Sequence, residues 1–482
     1  MEETPARAAG GGRQAVSAAR QFGWWPALVL ALLAGCAVGP DYKRPPVSAP
    51  PLFRGDTSGR TNSFGDMPWW EMFKDDTLQA LIRTALTNNY DVRIAAARVE
   101  QARALVEVSR SGYFPQLTYQ GAYGLGKNVQ EGTAFPNAGK NHWYEALGNA
   151  SWEIDLWGRI RRLSEAARAQ YLATEEARTN VMISLISMVA SDYFQLLALD
   201  QELRIARDTT NSFEQSLKLF TQRLQGGVAS KLETSAAEAE EAAAAATIPE
   251  LERQIVAQEN ELRVLLGMNP GPVLRRKKLL EELLPPDVPP GLPSTLLERR
   301  PDIRQAEEAV RSANAQVGVA AANFYPQISL TGLFGRVSAE SSAFTAGGAS
   351  AWSGAANVVG PIFEAGLLKG ELKQARAAWR EATLQYQSAV LNAFSEVSDA
   401  LVAREQLQQE RVAQTRAVAA YEEAVRVAGE RYHAGHANYY ELLQEQQLLF
   451  PAEDALTQVE LNQLLAIVQL YRALGGGWQQ MK

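Results

Sequence analysis

Cysteine and histidine are nearly absent from this sequence of 482 residues, which has one cysteine and three histidines. A single thiol excludes a disulfide within the chain and a metal site built from several cysteines. Three imidazoles offer little for a catalytic triad or a three-histidine zinc site, and the sequence has no glycine-rich phosphate loop or nucleophile elbow. Basic runs are absent and the net charge is -7, which disfavours a nucleic acid partner. We therefore expect no enzyme, no cofactor and no metal site.

Glycine and proline are missing from two long stretches, 159–225 and 371–428. At 1.5 Å per residue, a helix over the first stretch would be about 100 Å long, more than a compact domain needs. In both stretches apolar residues recur at steps of three, four or seven, which predicts a stripe that packs on neighbouring helices. The first stripe is Met182, Leu185, Ile186, Val189, Tyr193, Leu196 and Leu203, and the second is Leu384, Leu391, Phe394, Val397 and Leu401.

The N-terminus has the pattern of an export signal. Arginines precede an apolar run at 24–33 that is too short to span a bilayer permanently. The run leads into Cys36, the only cysteine, and residues 33–36 resemble a bacterial lipobox. This resemblance implies that Cys36 is lipidated, and Ala37 after it suits sorting to the outer membrane. We predict a lipoprotein signal peptide at 1–35 and a lipidated tether at 36–75, rich in proline, glycine and serine.

Two segments change from the helical period to strict alternation. In 115–126 and 143–157 apolar and polar residues alternate over about ten positions, the length of a tilted transmembrane strand. A half-buried hairpin of a soluble domain has the same pattern, but an exported lipoprotein with such long helices favours the membrane. Tryptophans suited to a bilayer interface accompany the strands: Trp143, Trp152, Trp157 and Trp352.

The chain repeats itself. The segment GYFPQL matches NFYPQI, QRLQGG matches ERYHAG, and the pair LG recurs after each returning helix. Each copy is predicted to contain a helix, a hairpin, a long helix, a turn and a returning helix. The first repeat is predicted at 76–267, with its helical hairpin at 159–267. A proline-rich connector at 268–293 follows. The second repeat is predicted at 294–475, with strands at 326–336 and 350–363 and a helical hairpin at 366–475, and a tail at 476–482 ends the chain.

Four strands per chain are too few to close a membrane barrel, whose smallest single-chain examples have eight. Unpaired strand edges are not tolerated in hydrocarbon, so the chain is expected to oligomerise. Three copies would give twelve strands and twelve helical segments beneath them, while two or four copies remain possible on geometry alone.

Several motifs together resemble one known family. They are GPDYKRP at 39–45, RRPDI at 299–303, YPQISL at 325–330, Arg431-Tyr432 with Gly435, and LYRALGGGW at 470–478. The sequence resembles the TolC-like outer membrane efflux proteins, close to the NodT-type lipoprotein branch, over nearly the whole mature chain. The resemblance implies a mainly α fold with a transmembrane β-barrel contribution. In it, a homotrimer forms a twelve-stranded barrel that continues as an α-helical periplasmic tunnel.

The family resemblance also implies a function. It is that of a trimeric channel in the outer membrane of a Gram-negative bacterium, lipid-anchored, spanning the outer membrane lipids and extending into the periplasm. Such a channel passively conducts drugs or other small molecules from an inner membrane pump, here of the RND type by analogy, and a periplasmic adaptor (membrane fusion) protein. Two alternatives are the outer membrane conduit of a type I protein secretion system and a non-channel coiled-coil scaffold of the envelope. The scaffold would explain the long helices but not the strands.

The two predicted helical turns form the candidate site. Glycine caps end one helix, and Ser230 or Asn438 can cap the next, with Glu233 or Glu441 completing a capping box. The resemblance implies that these turns meet adaptor hairpins, through Gly227, Val228, Ala229, Ser230, Gly435, His436, Ala437 and Asn438. It also implies a periplasmic gate formed by Tyr432, Glu441 and Glu233. Gln444 and Ala437 replace a second carboxylate and an arginine of the family, which predicts a weaker cation-binding ring.

Overall fold

Long helices and one antiparallel sheet make up the chain. The computed structural model describes residues 37–56, 63–72, 74–127, 129–130, 133–134, 139–279, 289–346 and 349–476. Its main helices are α1 (Asp76–Asn88), α2 (Tyr90–Ser111), α3 (Arg159–Gln225), α4 (Lys231–Leu265), α5 (Pro301–Ala322), α6 (Leu367–His433) and α7 (Tyr439–Ala473). Its long strands are β1 (Gln116–Lys127), β2 (Lys140–Ile154), β3 (Gln327–Ser338) and β4 (Ser350–Val359). Shorter elements lie at Phe64–Asp66, Trp69–Met72, Val129–Gln130, Thr133–Ala134, Pro293–Thr295, Leu296–Arg299 and Ser341–Ala346.

The four long strands pair in chain order, β1-β2-β3-β4, and every neighbouring pair is antiparallel. Tyr119 lies opposite Gly148, Gly148 opposite Phe334, and Phe334 opposite Trp352. Directly opposed residues share a face of the sheet, so these positions form one row across all four strands. Among the described residues, β1 and β4 each pair with only one long strand, which leaves both edges of the sheet open.

The apolar face predicted from the alternation lies at the surface of the chain. Leu117, Tyr119, Phe334 and Trp352 lie on it and are 76, 94, 62 and 84% exposed. On the opposite face polar side chains pair with each other, as in the hydrogen bond of 3.1 Å that Asn357 donates to the Thr331 hydroxyl. An apolar surface of this extent is typical of contact with lipid or with a partner rather than with water. The long helices and this four-stranded sheet confirm the predicted mainly α fold class with four strands per chain.

Helices α3 and α6 contain 67 residues each, which corresponds to about 100 Å. The bounds of α3 coincide with the stretch that lacks glycine and proline. Helix α6 extends beyond the predicted 371–428 at both ends, because Gly370 and Gly429 are themselves helical. A glycine costs a helix only about 1 kcal/mol, which tertiary packing of a long helix readily offsets.

The predicted stripe of α3 forms a buried core. Leu185, Val189, Tyr193 and Leu196 are at most 2% exposed. The Tyr193 hydroxyl donates to the Asp75 carboxylate at 2.7 Å, and Asp75 in turn accepts the amide of Thr77 and caps α1. Among the described residues, α3 is the one helix with a segment long and apolar enough to cross a membrane, and 61% of that segment is buried. Packing within the chain thus explains its apolar character.

The predicted stripe of α6 divides into two parts. Phe394, Val397 and Leu401 are buried, whereas Leu384 and Leu391 are each 64% exposed. The buried part packs within the chain, as in the edge-to-face contact of Phe394 with Phe53 at 6.4 Å between ring centroids. The exposed part indicates a surface that another chain could cover.

The chain forms two compact units. One is built from the described residues 37–43, with Ala104–Ala169 and Arg311–Arg380, and it contains the sheet. The other is built from Arg44–Arg103, Gln170–Val310 and Glu381–Lys482, and it contains both helical turns. Each unit takes segments from both predicted repeats, so the repeat boundaries stay a prediction about the sequence. The signal peptide at 1–35, Cys36, part of the connector (280–288) and most of the tail (477–482) lie outside the described residues.

Candidate functional site

The two helical turns have the same backbone geometry. Gly227 and Gly435 adopt φ of +76° and +74°, the left-handed region that favours glycine. The amide of Val228 donates to the carbonyl of Arg223 at 2.9 Å, and the amide of His436 donates to that of Arg431 at 2.9 Å. These are the Schellman bonds that end α3 and α6, so the glycines of both predicted turns have a structural reason.

The caps of the two returning helices differ. At the start of α4, the Ser230 hydroxyl accepts the amide of Glu233, and the Glu233 carboxylate accepts the amide of Ser230 at 2.6 Å, so the predicted capping box is present. At the start of α7, Asn438 accepts the amide of Glu441 at 3.1 Å. The Glu441 carboxylate lies 3.5 Å from the Arg431 guanidinium instead, and no described bond returns it to Asn438. The second capping box is therefore half formed, because a basic neighbour attracts the carboxylate.

The turns present small and apolar side chains to solvent. The eight predicted tip residues are exposed or half-buried, and Val228 is 68% exposed. Leu232 and Tyr440, which begin α4 and α7 at equivalent positions of the two repeats, are 69 and 46% exposed. Neither residue belongs to a motif of the sequence, but both directly follow the first residue of a capped helix. Exposed apolar groups at a tip favour contact with a partner.

Tyr432 lies inside an aromatic cluster behind the turns. It is 9% exposed and packs with Phe220, Tyr439 and Leu443, with 4.0 Å between the ring centroids of Phe220 and Tyr439. Burial raises the pKa of Tyr439 to about 12, which keeps this phenol neutral. The cluster joins the α3/α4 hairpin to the α6/α7 hairpin.

Arg223 is a residue of this site that the sequence did not reveal. It lies at the end of α3, donates to the Tyr432 hydroxyl and has its guanidinium carbon 5.4 Å from the centre of the Tyr432 ring. The three predicted gate residues therefore have different partners within the chain: Tyr432 with Arg223, Glu233 with Ser230, and Glu441 with Arg431.

The motifs near the N-terminus and at 299–303 form ion pairs in which one partner is buried: Arg162, Arg300 and Glu307 are each less than 10% exposed. Arg162 is buried and binds Asp41 at 2.8 Å. In the other unit, Arg44 binds Glu298 and Glu307 at 2.5 and 2.6 Å. Arg300, from the RRPDI motif, binds Asp302, Glu396 and the carbonyl of Ala473. The buried members of these pairs serve the fold, because a buried charge left without its partner is destabilising.

The predicted interface tryptophans occupy different places. Trp152 donates to the carbonyl of Tyr113 at 3.0 Å, and Trp157 donates to that of Pro326 at 2.8 Å, so both lie where strands meet helices. Trp352 lies at the opposite end of the sheet, on the apolar face.

Trp143 lies on the other face of the sheet. It lies opposite Gly124 on the polar face, where the absent side chain of the glycine leaves room for the indole. It faces the side of the sheet opposite to Tyr144, because neighbouring residues of a strand face opposite sides. Its place at the lipid interface stays a prediction.

A comparison with known proteins matches the family model of the outer membrane efflux protein to residues 81–268 and 292–476. The toluene efflux pump outer membrane protein TtgC of Pseudomonas putida is 34% identical over 456 residues, covering 93% of this chain and 94% of the relative. The probable outer membrane lipoprotein SilC of Salmonella typhimurium is 33% identical over 458 residues, covering 93 and 97%. The structure of the outer-membrane channel OprN superposes with a TM-score of 0.85 at 32% identity, covering 92% of this chain and all of that one.

Proposed function

Because this chain belongs to the outer membrane efflux protein family, we propose that it forms the trimeric outer membrane channel of a tripartite efflux system. Three copies would conduct small molecules passively from an inner membrane pump and a periplasmic adaptor to the exterior. One relative is named for the efflux of toluene, and the function proposed for this chain is the efflux of small molecules as a class.

The open-edged sheet carries this proposal. Its apolar face is exposed, and β1 and β4 each lack a second strand neighbour among the described residues. In hydrocarbon each unpaired backbone group costs several kcal/mol, so the edges require strands from other copies. Three chains supply twelve strands, an even number large enough to enclose a polar lumen lined by the face that carries Gln120 and Asn357.

Exposed apolar residues on the helices support contact between copies. Tyr90, Ile94 and Leu105 on α2 are 62, 47 and 58% exposed, and Leu384 and Leu391 on α6 are each 64% exposed. Surfaces of this kind are expected to be buried when neighbouring copies associate side by side.

The turns are the proposed docking and gating end. Exposed Val228, Leu232 and Tyr440 would meet the hairpins of the adaptor, and the pump, of the RND type, would act through that adaptor. Arg223 and Tyr432 would hold the two hairpins together in the closed state. At the other end of the chain, lipid on Cys36 would anchor the mature N-terminus in the outer membrane.

The test is to purify the full-length protein from outer membranes in detergent, determine its mass by light scattering and reconstitute it in planar bilayers. We expect a mass of three chains and discrete ionic conductance. A single-chain mass that needs no detergent would overturn the channel and favour the envelope scaffold. Conductance that requires an unfolded polypeptide substrate would favour the protein secretion conduit.

A further inference from the structure

A basic groove lies at the start of α6, in the same compact unit as the sheet. Its volume is about 770 Å³, and its lining includes Pro40, Val317, Lys373, Arg376, Trp379 and Arg380. The three basic side chains are exposed and recur at steps of three and four along the helix, so they project from one side of it. Lys369, one turn earlier, extends the same basic side.

The positive charge of this groove is uncompensated within the chain. In the part of the chain that the structure describes, no carboxylate lies within ion-pair distance of Lys373, Arg376 or Arg380. The acidic neighbours on α6, Glu371 and Glu381, project from other sides, since each helical residue turns by about 100°. By contrast, the arginines at the start of α3 are paired: Arg159 with Glu153, Arg161 with Asp155, and Arg162 with Asp41.

The repeat shows that the helical fold does not require this charge. Helices α3 and α6 have the same length, so Lys373, Arg376 and Arg380 correspond to Glu165, Arg168 and Leu172. The three equivalent positions on α3 have no net charge. Helix α3 therefore forms without a basic side, although it has the same position in its repeat as α6. Helix formation alone does not explain the positive charge on α6.

The groove lies close to the end of the sheet. Strand β4 ends at Val359 and α6 begins at Leu367, so Lys373 and Arg380 lie about 9 and 20 Å along the helix from its start. Pro40 borders the groove, and the amide of Val38 donates to the carbonyl of Trp157 at 3.0 Å, close to the predicted lipidated residue. With the sheet in hydrocarbon, the groove begins in the phosphate layer of the periplasmic leaflet, toward which long basic side chains can extend.

We propose that this groove binds the phosphate headgroup of an anionic phospholipid of the outer membrane's periplasmic leaflet. Lys373, Arg376 and Arg380 donate hydrogen bonds to the phosphate oxygens, and Trp379 lies beside the glycerol region. Clustered basic residues at a membrane surface attract anionic lipids, and arginine matches phosphate geometry with two parallel bonds. This inference goes beyond the channel function but rests on the proposed insertion of the sheet in the membrane.

The test compares the wild-type protein with the variant Lys373→Gln/Arg376→Gln/Arg380→Gln in nanodiscs of phosphatidylcholine with an increasing fraction of phosphatidylglycerol. Native mass spectrometry counts the phosphatidylglycerol molecules that stay bound. Each lost charge is expected to weaken binding about fivefold, so the triple variant should bind about a hundredfold more weakly. The matched control Arg178→Gln/Lys218→Gln/Arg416→Gln removes the same charge from exposed positions of the other compact unit and should bind within about twofold of wild type.

Three results would overturn the proposal. Equal retention of phosphatidylglycerol by the wild type and the triple variant would exclude the groove as its site. Binding of inorganic phosphate without enrichment of phosphatidylglycerol would assign the groove to free phosphate. If phosphatidylglycerol is retained by the variant Cys36→Ala but not by the wild type, the chain's own acyl groups fill the groove of the wild type. If the triple variant does not assemble, the single variant Lys373→Gln replaces it in the test, and its affinity for phosphatidylglycerol should fall about fivefold. Failure of the wild type itself to form conducting channels would instead overturn the proposed function.

Discussion

Tyr432 shows how single residues hold the tip of the chain together. Its hydroxyl accepts a hydrogen bond from Arg223 of the other helical hairpin, and its ring is buried against Phe220. A hydrogen bond to a charged donor contributes about 1.5–3 kcal/mol, more than a neutral one. Separating the two hairpins would therefore require this bond to break.

We expect the variant Tyr432→Phe to open the channel more readily. It removes the hydroxyl and keeps the ring, so the loss of about 1.5–3 kcal/mol should fall on the contact between hairpins and raise conductance in planar bilayers several-fold. Tyr440→Phe is the matched control, because Tyr440 is 46% exposed, and its conductance should equal that of wild type. Unchanged conductance of Tyr432→Phe would remove Arg223 and Tyr432 from the gate.

At this scale the sequence predicts local features well and distant pairs poorly. The cap at Ser230 and Glu233 follows from residues three apart, and the structure contains it. Arg223 and Tyr432 are 209 positions apart, and no local pattern marks such a pair. The face of Trp143 follows from the alternation, which puts Tyr144 on the apolar face and its neighbour on the other.

Helix α3 carries buried acidic groups in addition to its apolar stripe. Glu202 is 9% exposed and accepts a hydrogen bond from Gln458 on α7. Burial and the neighbouring Asp454 carboxylate raise the pKa of Glu202 to about 7. The neutral form is thus favoured in the folded chain, whereas the unfolded chain ionises at its ordinary, lower pKa.

The packing of α3 on α7 is therefore expected to strengthen at mildly acidic pH. The contribution of Glu202 is fully present below its unfolded pKa and is lost as the pH rises through about 7, with up to about 3 kcal/mol per chain involved. Thermal unfolding at pH 5 and pH 8 measures this difference. Glu202→Gln should remove much of it and be more stable than wild type at pH 8. The exposed Glu214→Gln is the control, and an identical pH dependence of all three proteins would contradict this origin.

At the scale of elements, the absence of glycine and proline was a sufficient signal for α3 but not for α6. The stretch without glycine and proline ends at Gly370 and Gly429, whereas α6 extends past these glycines to Leu367 and His433. Helix propensity is a weak preference that packing overrides. The ends of α6 lie at the Schellman turn of Gly435 and at the left-handed backbone of Ala365 and Gly366, with φ of +48° and +93°. Strand pairing order and register likewise depend on the whole chain.

The sheet determines how the whole molecule must behave in a membrane. We expect Tyr119→Lys to impair assembly, because Tyr119 is 94% exposed on the apolar face, and a lysine that faces lipid costs up to about 2–4 kcal/mol. Gln120→Lys, one residue on, puts the same charge on the polar face and should assemble normally. The fraction of each variant found as trimer in outer membranes is the measurement. Equal assembly of both variants would mean that the apolar face does not meet lipid.

The two open edges of the sheet also have a genetic consequence. If each chain closes its sheet only with two others, a chain with one defective edge strand spoils every assembly that it joins. In a cell that makes intact and defective chains in equal amounts, roughly one trimer in eight would contain intact chains alone. An edge-strand allele should therefore be dominant, whereas a null allele of the same gene should be recessive.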